Sequence, residues 1–311
     1  MAQQLNVRST LKLNSGYEIP RLGFGCYQIP KEQTTEAVKE ALKEGYVHVS
    51  PSPLFANNSI LMKWQIDSAT GYYNQAEAAE AIRQSGVPRE QVFFTTKVFT
   101  FGQSPGYHNT VNSLEAALEQ TKLDYLDLVL IHAPYGGSEG RKGSWKALVE
   151  YVEKGKVRSI GVSNYGVQHL EELEKHIKEL EEERGGKGKG GVISVGQWEV
   201  HPWLTRPDIV QWCRERGIVV EAYCPIVRGQ RSDEPKVKEL AEKYGKTPAQ
   251  ILLRWSLQKE LVPLVKSVTP ARVRENASLY GFELTNEDVD GLTTDKYEFC
   301  SWDPTKDDLS K

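Results

Sequence analysis

Eight short apolar stretches, separated by segments with helical spacing, constrain this chain more than any other feature. They are RLGFGCY (21–27), a stretch ending at IDSA (66–69), QVFFTTKVF (91–99), LDLVLIHAP (126–134), VRSIGVSN (157–164), VISVGQWEV (192–200), IVVEAYCP (218–225) and LVPLVKSV (261–268). Near-continuous apolar runs of this length read as strands buried on both faces, which is the state of parallel strands covered by helices. Between them, TTEAVKEALKEG (34–45) spaces Ala37, Val38, Ala41 and Leu42 as one helical face. QAEAAEAIRQSG, WKALVEYVEKG, the charged run from Gln168 to Arg184 and TPAQILLRWSLQK are further helical segments. A count of eight strand–helix units predicts a closed (β/α)8 TIM barrel in the α/β class. An open doubly wound sheet would carry GxGxxG after its first strand, whereas the first strand here offers only GFGCY. Ahead of the barrel, LKLNSGYEIP (11–20) sets Asn14-Ser15-Gly16 between two alternating stretches and predicts an N-terminal β-hairpin. The 311 residues are expected to form one barrel domain over 1–311, ending in a tail at about 294–311.

Composition narrows the function classes. With 39% hydrophobic and 26% charged residues and a net charge of −3, the chain is an ordinary globular protein without the basic excess of a nucleic-acid binder. Cys26, Cys213, Cys224 and Cys300 lie far apart, with no CxxC and no Cys/His pair at metal spacing, so neither a disulfide scaffold nor a metal site is expected. MAQQLNVRST lacks a secretory apolar stretch, and no run reaches the ~18 apolar residues of a membrane span. The expectation is a cytoplasmic monomer with no nucleic-acid or membrane partner.

In such a barrel the chemistry gathers at the C-terminal strand ends. Those ends carry Asp67, Lys97, His132, Ser163-Asn164, Gln197, Tyr223 and Lys266-Ser267. Singly, each has a bland reading: His132 as a structural histidine in a turn, Lys97 as a solvated lysine. Together they are costly to bury unless they line a site. Tyr72 follows Asp67 by five residues, in the loop above the second strand. A phenol with a pKa of about 10 is a weak acid at neutral pH. A nearby Lys97 ammonium is expected to lower it, with Asp67 as the counter-ion and His132 orienting a substrate oxygen. This set can protonate an oxygen but contains no competent nucleophile. A cofactor must therefore supply the attacking group, most simply hydride from a nicotinamide.

At this point the chain resembles the aldo-keto reductases, NAD(P)H-dependent barrel oxidoreductases without a Rossmann fold. The resemblance runs from the hairpin to about Tyr280 and rests on IDSATGYYN, FFTTKV, LVLIHAP, IGVSNY, GQWEVHP, EAYCP and VKSVTPARVRENA, in family order. It implies a catalytic tetrad of Asp67, Tyr72, Lys97 and His132. It places the cofactor carboxamide on Ser163, Asn164 and Gln197, and Tyr223 against the nicotinamide ring. Lys266, Ser267, Arg272 and Asn276 would surround the adenosine 2′-phosphate and adenine, with Glu275 touching the adenine. Two cations at that end imply NADPH over NADH. The implied function is NADPH-dependent reduction of an aldehyde or ketone to the alcohol, with Tyr72 as general acid. The alternatives are an NADP(H)-binding sensor or accessory protein of the same fold, and an inactive mis-spliced isoform.

One departure is serious. The family reads Gly-Tyr-Arg-His-hydrophobic-Asp across the second strand, but here VSPSPLFANNSILMKWQ (49–65) separates GYVH (45–48) from IDSA. The insert holds one charged residue, Lys63, where a chain that is 26% charged would carry about four. It opens on a valine codon (GT–) and closes on a glutamine codon, the in-frame termini of a retained intron if that codon is CAG. The retained-intron reading is favoured, because a structureless loop of this length is uncommon in a compact domain. Sequencing the transcript decides it. In the alternative, MKWQID replaces GYVHID as the strand and Val47 to about Leu61 form a loop on the non-catalytic face. Val47 for the usual Arg and Gln75 for the usual Glu are lesser departures. GGKGKGG (185–191) is expected to be a flexible surface connection rather than a phosphate loop, and Trp198, Trp203, Trp212 and Trp255 are expected to be packing residues. The resemblance further implies that substrate choice is set by loops above the barrel and by the tail, here Tyr27 and its neighbours, 100–108, 135–143, 227–232 and 296–311, where Phe99, Phe101, Tyr107, Tyr135 and Trp302 would make an apolar pocket. Cys300 is placed near its mouth.

Overall fold

The computed structural model describes residues 6, 9–44, 64–98 and 105–311. A hairpin comes first, with β1 (Thr10–Lys12) antiparallel to β2 (Glu18–Pro20). Eight parallel strands follow: β3 (Gly23–Gly25), β4 (Trp64–Asp67), β5 (Val92–Val98), β6 (Leu126–Ile131), β7 (Val157–Ser163), β8 (Val195–Glu199), β9 (Val219–Tyr223) and β10 (Val262–Val265). They pair in chain order, and β10 returns to β3, closing the barrel. The expected architecture is present; β6 and β7 start where their apolar stretches start, and the other strand ends fall one to three residues short of theirs.

Helices α1 (Lys31–Lys43), α2 (Gln75–Gln84), α3 (Tyr107–Thr121), α4 (Gly137–Glu153), α5 (Val167–Glu183), α6 (Pro207–Glu215), α7 (Pro235–Tyr244), α8 (Pro248–Gln258), α9 (Pro270–Ala277) and α10 (Asn286–Leu292) intervene or follow. The stripe read in α1 is the face it buries: Ala37, Val38, Ala41 and Leu42, with Thr34. Threonine starts α8 with a capping box, in which the Thr247 hydroxyl accepts from the Gln250 amide at 3.3 Å and the Gln250 side chain accepts from the Thr247 amide at 3.0 Å. Trp198, Trp203, Trp212 and Trp255 are all buried between barrel and helices, as packing residues should be.

A second, smaller apolar cluster sits inside the barrel. Leu13 and Ile19 from the hairpin meet Phe93, Leu128, Leu130 and Val195 from the strands. At about 1.5–3 kcal/mol for each fully buried aliphatic side chain, the hairpin is a structural plug rather than an ornament. Close packing also fixes single residues: a Cβ at Gly161 on β7 would run into the Val195 carbonyl oxygen of β8. In the run 185–191, Gly190 is buried and its carbonyl accepts from Trp145 Nε1 at 2.8 Å, so that connection is anchored at one end rather than free along its length.

Residues 64–67 form the second barrel strand. Trp64 pairs with Val92, Gln65 with Gly23 and Phe93, and Asp67 with Gly25 and Thr95. The barrel thus closes with the additional segment present, on WQID rather than on YVHID. Trp64 and Gln65, the last two residues of the 49–65 segment, belong to the strand, as the alternative with MKWQID in place of GYVHID expects. Its remaining residues, 49–63, and GYVH before them lie outside the described residues, as do Phe99 and Phe101. No helix among the described residues is long and apolar enough to cross a membrane.

Candidate active site

Lys97 organises the site. It is the penultimate residue of β5 and fully buried, and its ammonium donates to both carboxylate oxygens of Asp67, at 2.7 and 2.9 Å, and to the Ser68 carbonyl at 3.0 Å. The same nitrogen lies 3.4 Å from the Tyr72 hydroxyl. A buried ammonium is stable only when its charge is matched and its donors are used, and both conditions hold here. Tyr72 is brought over the barrel by a 3-10 turn, Thr70–Tyr72, followed by Tyr73 in the left-handed region at φ 57°. Thr70 Oγ1 donates to the Lys97 carbonyl at 3.0 Å, and Asn74 Nδ2 donates to the Cys26 and Ile29 carbonyls at 2.9 and 3.0 Å. The turn is therefore tied at one end to β5 and at the other to the loop that follows β3.

His132 follows β6 directly, with its ring edge-on to Tyr72 at 5.8 Å between centroids. Burial, helped by the Lys97 charge, lowers its pKa to about 3, so the ring is neutral across the physiological range. Burial and the Asp67 charge hold the Tyr72 phenol well above 10. The expectation that Lys97 lowers it is not met. Asp67 already matches the ammonium at short range, while the half-buried phenolate would meet both desolvation and a carboxylate.

Beside this group, Ser163, Asn164, Gln197 and Tyr223 form a second hydrogen-bonded set. Ser163 Oγ donates to the Gln197 carbonyl at 2.9 Å, Asn164 Nδ2 to the His132 carbonyl at 3.0 Å, and the Tyr223 hydroxyl to Asn164 Oδ1 at 2.8 Å. Gln197 Nε2 joins the two sets, donating to Asp67 Oδ2 at 2.9 Å and to Glu221 Oε2 at 2.8 Å. Sequence reasoning missed Glu221. It is fully buried on β9, bonded also by Gln65 Nε2, and burial with the Asp67 charge pushes its carboxyl up to about 7. The signal was available as a lone carboxylate inside IVVEAYCP, an otherwise apolar strand.

At the far end, Lys266 follows β10, and Arg272 sits on α9; both are exposed and, among the described residues, form no ion pair. Ser267 is buried and accepts from the Thr269 amide at 3.1 Å, and Asn276 is buried in α9. The Glu275 carboxylate accepts from Thr247 Oγ1 at 2.7 Å, which turns it toward the start of α8.

The aromatic residues form a continuous wall: Tyr27 against Tyr72 at 5.0 Å, and Trp302 against His132 at 6.3 Å and Tyr135 at 6.1 Å. Tyr107 does not join it, because its hydroxyl donates to Glu150 on α4 at 2.6 Å. The tail carrying Trp302 is held by two buried arginines. Arg206 bonds Asp303 and Thr305 at 3.0 Å, and Arg141 bonds the Leu309 and Lys311 carbonyls at 2.7 and 3.0 Å.

Comparison with known proteins places the chain in a family. The profile of the aldo/keto reductase family matches residues 21–294. Glyoxal reductase of Bacillus subtilis is 38% identical over 92% of this chain and 92% of its own. Methylglyoxal reductase DkgA of Yersinia pestis is 34% identical over 93% of each. A crystal structure of a Gox0644 mutant in complex with NADPH superposes with a TM-score of 0.80 at 28% identity, covering 97% of this chain and 99% of that one. With most of its length matched by the profile and by relatives above 30% identity, the chain belongs to the aldo/keto reductase family.

Proposed function

We propose that this chain reduces an aldehyde or ketone to the alcohol with NADPH, acting as a one-domain monomer on a small-molecule carbonyl compound. The observation that carries this reading is the buried Lys97 ammonium held between the Asp67 carboxylate and the Tyr72 hydroxyl, with a neutral His132 alongside. The relatives named for glyoxal and methylglyoxal reduction support a carbonyl substrate.

The residues present fit a phosphorylated dinucleotide. Lys266 and Arg272 offer two exposed cations with no internal counter-ion among the described residues, as an incoming phosphate requires. Amide and hydroxyl groups of Ser163, Asn164 and Gln197 would hold a carboxamide, and the Tyr223 ring an aromatic face. When bound, NADPH supplies the hydride for the carbonyl carbon.

The chain's own residues handle the oxygen. Neutral His132 donates a hydrogen bond that orients it, and Tyr72 delivers the proton. A phenol held well above 10 is always protonated at neutral pH, so the acid is loaded before each turnover. Proton transfer runs downhill because a carbonyl oxygen becoming an alkoxide is far more basic than a phenolate. The same shift disfavours the reverse reaction, in which Tyr72 would have to start ionised. Asp67 keeps Lys97 in place, and the ammonium, already matched by that carboxylate, holds its nitrogen 3.4 Å from the Tyr72 hydroxyl that gives up the proton.

Two measurements test this. NADPH should quench the fluorescence of the full-length chain saturably and in preference to NADH, and an aromatic aldehyde should be turned over. Tyr72→Phe should retain NADPH binding while kcat falls about 10²- to 10⁴-fold, the usual contribution of a general acid. NADPH binding without turnover by the parent chain would instead identify a cofactor-binding protein.

A further inference from the structure

Two of the four cysteines are neighbours in space, although 224 and 300 are far apart in sequence. Cys224 directly follows Tyr223 at the end of β9, and Cys300 lies in the tail two residues before Trp302. The two sulfurs and a carboxylate oxygen of Glu199 all lie within 4.8 Å of one another. Both thiols are partly open to solvent, whereas Cys26 and Cys213 are completely buried.

We propose that Cys224 and Cys300 form an oxidisable thiol pair, which a hydroperoxide converts to an intramolecular disulfide linking the tail to the end of β9.

The backbone prepares the encounter. The Glu199 carboxylate accepts from the amides of Cys300 and Ser301 and from His201 Nε2, which pins the tail at this point. With its oxygens committed in this way, Glu199 offers little to a metal ion, and the thiols remain the reactive members of the group. Cys224 is the attacking thiol. A hydrogen bond from Cys300 and the nearby Arg228 guanidinium hold its pKa below the ordinary thiol value, against the opposing effect of burial. The same hydrogen bond pushes Cys300 upward, so it stays protonated and serves as the resolving thiol. By contrast, burial pushes Cys213 up to about 12 and raises Cys26 further, leaving both as thiols.

The chemistry balances in two steps. The Cys224 thiolate attacks a peroxide oxygen, the O–O bond breaks, and a proton taken up releases water (or an alcohol), leaving a sulfenic acid. Cys300 sulfur then attacks the Cys224 sulfur. The S–S bond forms as the S–O bond breaks, and the thiol proton leaves with hydroxide as water. Sulfur is oxidised by two electrons in all, and the peroxide is reduced.

The test uses the full-length chain and hydrogen peroxide, and it reads thiols rather than turnover. Titration in denaturant should fall from four thiols to two per chain and return to four with dithiothreitol. A cross-linked peptide pair should contain Cys224 and Cys300. In Cys300→Ser no cross-link forms, and a sulfenic-acid trap labels Cys224; in Cys224→Ser that label is absent. Four thiols surviving peroxide, a bridge involving Cys26 or Cys213, or terminal oxidation of either residue without a bridge would overturn the proposal. So would one equivalent of zinc in the purified protein that shields both thiols and is lost in Cys224→Ser, since that would make the pair a metal site.

Discussion

The two ends of the candidate site are built on opposite principles. At the reaction end, Asp67, Lys97, Gln197 and Glu221 are buried, and each charge is matched or hydrogen-bonded within the fold. At the anchoring end, Lys266 and Arg272 are exposed, with no internal ion pair among the described residues. A buried charge left unmatched costs several kcal/mol, so the first arrangement must be complete before any ligand arrives. An exposed cation has water as its partner and can wait. The difference separates groups whose removal should damage the fold from those whose removal should damage only binding.

Lys97→Met attacks the first kind. It should abolish turnover as thoroughly as Tyr72→Phe and, by leaving Asp67 buried without its cation, destabilise the chain by about 3–5 kcal/mol in denaturant unfolding. A variant as stable as the parent would show that the reaction end is not internally matched. At the other end, Lys266→Ala and Arg272→Ala should each raise the NADPH Kd about tenfold, on the order of 1.4 kcal/mol, while leaving NADH affinity and the unfolding midpoint unchanged. Equal losses for both cofactors would remove the argument for a 2′-phosphate.

Glu221 sharpens the comparison further. Its carboxyl is raised in the folded chain to about 7 from an ordinary 4.5. Below the lower value it is neutral in both states and costs nothing. As the pH rises toward the upper value, the unfolded chain ionises first, so this group removes stability. Glu221→Gln should therefore gain stability relative to the parent between about pH 5 and pH 7 in paired thermal melts. The Gln65 amide, free to turn its oxygen toward the new donor, makes the substitution feasible. The smallest effect concerns His132. With its pKa near 3, the rate profile should show no histidine inflection between about pH 5 and pH 8, and one near 6.5 that survives Glu221→Gln would mean that the ring is not desolvated.

Much of this was legible in the chain order. Apolar runs pointed to the strands, and the polar residue closing seven of the eight marked the candidate site, because both follow from which faces of a barrel strand are buried. Tyr72 was found by its distance from Asp67. The phenol's ionisation was not, since its direction depends on whether Asp67 or Tyr72 lies closer to Lys97, and no spacing encodes that. Glu221 was passed over because a carboxylate in an apolar strand gains its meaning only from Gln197 and Gln65 on other strands. Cys224 and Cys300 escaped for the same reason: periodicity reports neighbours along a helix or strand, not those joined by a tail folding back across the barrel mouth.

The pairing of β4 has a bearing on how such a protein changes over time. Residues 64–67 set the register against both neighbouring strands, and α1 has already ended at Lys43. The intervening stretch enters β4 from the end opposite Asp67 and Tyr72. For change over time, the residues under constraint on this side of the barrel are therefore 64–67 and their strand partners, which together hold Asp67 in register.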